Sequence, residues 1–514
     1  MRILIRSIGI LAGLGAAFAS VPASAHAFGQ RYDLPLPLWM FVTGAAAAVV
    51  LSFVVIALFL RHKPEPGIYP TVNLLANPVG RFLAHRLVLG LVRVLFVAWF
   101  GLTVAAGYFG VASPYENLSV VMVWVIAWVG LAFVCSLLGN FWALINPWNA
   151  IFSWAEALTR KLTGGGELSR NLPVPMGWDT WPAFIFFFIF AWMEITWPGS
   201  GVPINIAVAI SIYSGLTWLG MFLYGRETWL AQGEAFSVVY GLFARFAVTE
   251  VRVRSAEAAE DVRYFDLKSD AAGCVNGYGA FFKAAPQMRE WNLRPPGVGL
   301  RVGKPPSVTL MFFVLLLLST VTFDGYTETE QFADIGLVIF KLFQGLGGSA
   351  VLVVETIWIA SFPLLLIAVY LLFMYLVGWS SDHAVKFSLL APVFVFSIVP
   401  ISIAYHLSHY LSLLVIEGQV VIHRLSDPFG FGWDLFGTAN YKVDIALIDA
   451  KLVWFFSVGA IVIGHIVAVY LSHTEAMRLF GDRRRALDSQ LPMLALMVGY
   501  TMLSLWIIAQ PIVA

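Results

Sequence analysis

Ten apolar runs long enough to span a bilayer dominate the sequence, lying near 37–60, 87–112, 118–145, 181–197, 203–224, 306–323, 348–378, 387–416, 450–473 and 490–513. A helix needs about 20 predominantly apolar residues to cross a hydrocarbon core roughly 30 Å thick. In lipid every backbone N–H and C=O must find its partner within the chain, which leaves helices or closed barrels. The runs are continuous rather than alternating, so they predict helices. The expected fold is therefore all-α, a polytopic transmembrane helical bundle of about ten spans. Composition agrees, with 60% hydrophobic and 12% charged residues, against about 25% charged in ordinary soluble chains. A net charge of +1 over 514 residues offers no field to recruit nucleic acid. Membrane lipid, and an apolar small molecule dissolved in it, are the partners this composition suits.

The amino terminus adds an orientation. Arg2 and Arg6 precede an apolar stretch from Ile8 to Ala19, followed by Val21-Pro-Ala-Ser-Ala25 and a polar turn. This is the pattern of a signal peptide over residues 1–25, with small residues at Ala23 and Ala25 before the cut. Cleavage there makes His26 the first residue of the mature chain, with a free amine and a ring nitrogen that together suit Cu(II) or Zn(II). The plain alternative is that some residue has to follow the cut.

Charge asymmetry predicts the same orientation independently. With the mature terminus outside, the inside loops carry Arg61, Lys63, Arg81, Arg86, Arg160, Lys161, Arg245, Arg252, Arg254, Lys386, Arg483, Arg484 and Arg485. The opposite loops are short or acidic, with Glu116, Asp324, Glu328, Glu330, Asp334, Asp427, Asp434 and Asp444. This is the positive-inside pattern of an inner (cell) membrane protein, and an even number of spans puts the carboxyl terminus outside too. The organisation expected is five spans over 26–225, a cytoplasmic polar segment over 226–305, and five further spans over 306–514. The stretches Asn149–Leu162 and Phe332–Phe343 are amphipathic at helical period and suit the membrane interface or the bundle surface.

Ionisable groups inside spans are costly and so are functional candidates by default. The densest group is Tyr405-His406-Leu-Ser-His409-Tyr410 in the eighth span. A separation of three residues turns two side chains by about 300° and makes His406 and His409 neighbours on one face, where they could share a metal. His406 lies about 19 residues, hence about 29 Å, from the inner start of its helix, which puts the pair toward the outer leaflet. Asp324 and Glu194 close outer ends of their spans, Glu355 sits about two turns below an outer end, and His26 is outside as well. Convergence on one side of the membrane makes His26, His406, His409 and His465 candidate metal ligands, and Asp324 and Glu355 candidate catalytic carboxylates. The plain readings are a helix end in water for Asp324 and hydrogen bonding within the bundle for the others. His465 admits a role behind the ligands, a proton relay or a structural one. His62, His85, His383 and His473 read as solvated surface, and His423 as an outer-loop residue. The two cysteines, Cys135 and Cys274, support neither a disulfide framework nor a thiolate zinc site. Phosphate loops, dinucleotide-binding glycine patterns, Gly-x-Ser-x-Gly elbows and His-Glu-x-x-His are all missing from the sequence.

With His26-Ala-Phe-Gly-Gln-Arg-Tyr-Asp-Leu-Pro-Leu-Pro-Leu-Trp39, the Tyr405–Tyr410 stretch, Phe323-Asp-Gly-Tyr-Thr-Glu328 and Asp427-Pro-Phe-Gly-Phe-Gly-Trp433-Asp-Leu-Phe-Gly437 in view, the chain resembles bacterial membrane proteins known as fenitrothion hydrolases. The resemblance extends over most of the length and implies hydrolysis of an organophosphorus ester with release of a phenol. It transfers no catalytic residues. Three readings follow: a metal-dependent hydrolase of apolar esters using zinc or copper to activate water, a copper oxidoreductase or copper-handling permease, and a transporter without enzyme activity.

Overall fold

The computed structural model describes residues 32–60, 69–254, 261–263, 281, 284–301 and 305–513. The signal peptide and His26 lie outside the described residues. In chain order the long elements are α1 (Leu38–Phe59), the two-residue strand β1 (Val72–Asn73), α2 (Arg86–Phe109) and α3 (Leu118–Leu137), which winds as a π-helix over Met122–Gly130. Then come α4 (Phe141–Ile145), α5 (Pro147–Thr163), α6 (Trp181–Ile195), α7 (Pro203–Tyr224), α8 (Arg226–Gln232) and α9 (Ala235–Phe246). Strands β2 (Thr249–Arg254), β3 (Asp261–Arg263) and β4 (Arg289–Leu293) follow, and the chain finishes with α10 (Val308–Thr327), α11 (Glu330–Phe343), α12 (Ala350–Ser380), α13 (Val399–Ile416), α14 (Ala450–Leu479) and α15 (Gln490–Ile512). Among the described residues nine helical stretches are long and apolar enough to cross a membrane. Their outward faces carry exposed side chains such as Leu51, Phe59, Leu87, Leu91, Ile212, Leu364 and Leu365. A bundle with an apolar exterior as well as an apolar core is built for lipid, and the chain is a multi-pass helical membrane protein.

α1 is tied near both of its ends to the last helices of the bundle. The Tyr32 N–H donates to Ile512 C=O at 2.9 Å, and Tyr32 bridges Val513, so α1 starts where α15 stops. At the other end of α1, Leu60 C=O meets His473 Nε2 at 3.1 Å near the close of α14. α6 is a shorter apolar helix of 15 residues, or about 22 Å, that begins at Trp181-Pro182 and is followed by Trp197.

The stretch beginning at Arg226 is more than a polar cytoplasmic segment. α8 and α9 turn back into the bundle, and α9 buries Val238, Val239, Tyr240, Leu242, Phe243 and Arg245 against α3 and α6. At 12 residues α9 is about 18 Å long, too short to cross. Only then does the chain form a four-stranded antiparallel sheet in the order β1-β4-β2-β3, with Val251 opposite Trp291 and Val72 opposite Leu293. The sheet caps the end of the bundle where α1 finishes. Its buried ion pairs, Glu250 with Arg294 at 2.7 Å and with Arg252 at 2.5 Å, explain why the segment looked polar. His473 is also corrected: it is 1% exposed and joins α1 to α15 through Leu60 C=O and Gln490 Oε1. α11 buries no residue, as its amphipathic pattern suggested.

The centre of the bundle is α13, where every residue from Val399 to Tyr410 is buried. Small residues bring its neighbours close. A side-chain carbon on Gly464 of α14 would fall 2.6 Å from Ala404 Cβ and 2.8 Å from Pro400 C=O. Elsewhere in the bundle, a carbon on Gly107 of α2 would fall 2.7 Å from Ala207 Cβ of α7. Close backbone approach gains dispersion energy that lipid cannot supply by a hydrophobic effect. Replacing Gly464 with valine should therefore cost about 1–3 kcal/mol, read as a lower thermal midpoint in detergent. Gly459→Ala on the same helix, with open space around it, should leave the midpoint unmoved.

Candidate functional site

α10 carries Asp324 one turn from its end, and α13 runs past it at the end of the bundle that holds both Tyr32 and Val513. Gly325 makes this approach possible, since a side-chain carbon there would meet Tyr405 OH of α13 at 2.5 Å and Ile507 of α15 at 3.0 Å. The Tyr410 hydroxyl donates to Asp324 Oδ2 at 2.6 Å, and His409 Nε2 lies 2.9 Å from the same oxygen. One carboxylate oxygen thus collects two donors from adjacent residues of a single helix. The His409 side chain is 1% exposed, whereas that of Asp324 is 22% exposed. The carboxylate is reachable and the imidazole behind it is sealed. Hydrogen bonds to a charged acceptor are about twice as strong as neutral ones and hold the ring in a fixed tautomer and orientation.

His406 is one turn away but serves a different neighbourhood. Its ring packs edge-on against Tyr410 at 4.7 Å, Trp128 at 5.1 Å and Phe243 at 5.8 Å between centroids, and it is 2% exposed. Its Nε2 has no hydrogen-bond partner. Trp128 comes from the π-helical part of α3, a rare geometry that is frequent at functional sites. The Tyr240 hydroxyl of α9 braces that part by donating to Ala127 C=O at 2.5 Å and Trp128 C=O at 3.2 Å. Glu194, next to the last residue of α6, lies within electrostatic reach of Asp324.

Asp324 and His409 meet directly, with His406 one turn along α13 and Glu194 within electrostatic reach of Asp324. Glu355 stands half-buried on α12 and makes no hydrogen bond with any of them. His465 lies deeper on α14, its Nδ1 2.8 Å from Ile461 C=O and its ring 6.1 Å from that of Tyr500. Tyr500 in turn bonds Thr322, two residues before Asp324. Among the described residues no three His, Cys, Asp or Glu side chains are placed to hold one metal ion. His423 is half-buried and away from the pair. The sequence reading missed the hydroxyl of Tyr410, although it directly follows His409, because tyrosine next to a membrane boundary reads as part of the aromatic belt.

A second buried carboxylate was missed altogether. Glu234 is 0% exposed and caps α9, accepting from Phe236 N–H at 3.0 Å and Ser237 N–H at 2.8 Å. It also takes Tyr213 OH at 2.7 Å, Asn146 Nδ2 at 3.1 Å and Trp142 Nε1 at 3.2 Å. Donors from α4, α7 and the α4–α5 turn therefore meet on one side chain. The patch around Trp142 and Asn146 is a structural device, a fastening of the short helices to the spans.

Comparison with known proteins gives no match: no family model fits the chain, and neither characterised proteins nor solved structures are similar to it. What the fold and site define is a class, a multi-pass helical membrane protein with a carboxylate–imidazole pair held inside the bundle.

Glu234→Ala removes a helix cap and strands three buried donors, so it should lower stability by at least about 3 kcal/mol. Glu355→Ala should change it by no more than about 0.5 kcal/mol. Denaturant unfolding in mixed micelles compares the two, and equal effects would contradict the fastening role.

Proposed function

We propose that the protein is a cell-membrane enzyme in which Asp324 and His409 act together as a proton-accepting base toward an apolar ester that enters from the lipid. The observation that carries this is the shared oxygen of Asp324, which takes one donor from His409 and one from Tyr410 while its carboxylate stays partly open. His409 and Tyr410 fix the partly exposed carboxylate of Asp324, and a positioned carboxylate that takes a proton from water or a hydroxyl is worth typically 10²–10⁴-fold in rate. Hydrolysis of an organophosphorus ester, the activity implied by the sequence resemblance, fits such a base. The charge pattern of the loops supports a cytoplasmic sheet and an outward-facing Asp324. A metal-assisted version would need a ligand beyond His409 and Asp324, and His26 is the residue of the right chemistry and side.

A second reading is proton-coupled transport. Glu194 and Asp324 stand on neighbouring spans within electrostatic reach of each other, and intramembrane carboxylates with histidines are characteristic of proton relays.

Phenol release from an aryl phosphotriester by the purified protein in lipid nanodiscs separates these readings. Asp324→Asn and His409→Gln should each lower turnover by about 10²-fold or more, while Glu355→Gln leaves it near the parent rate. Turnover indifferent to both site substitutions would rule out the base. No turnover, together with substrate-driven proton uptake in vesicles that Asp324→Asn abolishes, would establish transport instead.

A further inference from the structure

At the Asp324 end of the bundle, α11 joins α10 to α12, and its residues divide into three stripes. Thr329 starts the helix by accepting from Phe332 N–H at 3.2 Å, Glu330 and Lys341 suit the two ends of its dipole, and Gly347, at φ 60° and ψ −132°, separates it from α12. Phe332, Gly336, Ile339, Phe340 and Phe343 are half-buried, recur at helical spacing and face the bundle. Phe332 packs against Phe323 at 5.9 Å, Tyr326 at 5.7 Å and Trp358 of α12 at 5.8 Å between centroids. Glu330, Asp334 and Lys341 are exposed and, at 3.6 residues per turn, fall within about 40° of one another. Between these two stripes Ile335, Val338 and Leu342 share an arc of about 60° and are 42%, 63% and 79% exposed. Leu337 is the one large apolar residue of the helix exposed outside that arc.

We propose that the stripe of Ile335, Val338 and Leu342 docks α11 onto the bilayer at the boundary between headgroups and acyl chains, with Glu330, Asp334 and Lys341 turned to water. A helix with one apolar and one charged face settles about 5–10 Å into that boundary. Lipid-facing surface continues beside it: Ile357 of α12, next to the Trp358 that receives Phe332, is 44% exposed on a membrane-spanning helix. A second copy of the chain is the poorer occupant, since three side chains fall far short of the about 800 Å² per partner that a stable interface buries. Two acids and one base on the charged stripe give anionic headgroups nothing to hold, so apolar burial carries the contact. Docking holds Phe332 at the membrane boundary, and with it Phe323 and Tyr326, which stand on either side of Asp324. This inference is independent of the chemistry assigned to Asp324.

The test uses the full chain in phosphatidylcholine vesicles, with Cys274→Ser, the buried Cys135 kept, and a nitroxide on one new cysteine at a time: Ile335→Cys, Val338→Cys, Leu342→Cys, Asp334→Cys or Lys341→Cys. Electron spin resonance compares collisions with oxygen, which concentrates in hydrocarbon, against those with a water-soluble nickel chelate. Oxygen should prevail at the three apolar positions and nickel at the two charged ones. Nickel prevailing at all five would place the helix in water and overturn the proposal. Exclusion of both reagents from the three apolar positions would mean that protein covers them, which overturns it too. Val338→Glu together with Leu342→Glu should turn Ile335→Cys from oxygen to nickel, whereas Val338→Met with Leu342→Met keeps it on oxygen. The same reading from both pairs would remove the stripe as the anchor. Turnover enters none of these readings, so the result is separate from the fate of the proposed base.

Discussion

Everything in this protein depends on the enclosure of α13. A helix buried on all sides from Val399 to Tyr410 can hold side chains that lipid would reject. Two histidines, two serines and two tyrosines occupy those twelve positions. Such a density of polar groups on a lipid-facing helix would cost several kcal/mol. Enclosure in turn requires close neighbours, and the small residues supply them: Gly464 and Ala404 on one side, Gly325 under Tyr405 on the other. The carboxylate of Asp324 then arrives at the one place where α13 presents two donors to a single oxygen.

The spans were legible in the sequence because their signal is a plain matter of length: a continuous apolar run has only one stable conformation in lipid. The meeting of Asp324 with His409 was legible for a related reason, since topology and a rise of 1.5 Å per residue place both at the same depth. Depth says nothing about rotation around a helix axis. That is why Glu355, expected beside the pair, stands apart on α12, and why His406 and His409 share a face yet serve different neighbours. The short helix α9 was hidden by averaging, its apolar face diluted by the charged strands that follow it. Glu234 was hidden because an acidic residue at the start of a helix reads as an ordinary charge favoured by the helix dipole.

Glu234 and Asp324 show how a carboxylate is put to different ends. Glu234 is saturated by donors, and its charge is spent on holding helices together. Asp324 receives two donors on one oxygen, and its side chain is 22% exposed. Saturation makes a fastening, and incomplete enclosure makes a site.

The contact between Tyr32 and Val513 has a consequence for the chain as a polymer. Two points separated by almost the whole sequence sit within one hydrogen bond of each other, so the fold is close to a closed ring. A ring has no privileged opening. A short peptide joining these positions, with a new break in an exposed turn such as the one around Gly165, would give the same set of helices in a different order of synthesis, and insertion into the membrane could then begin with a different span.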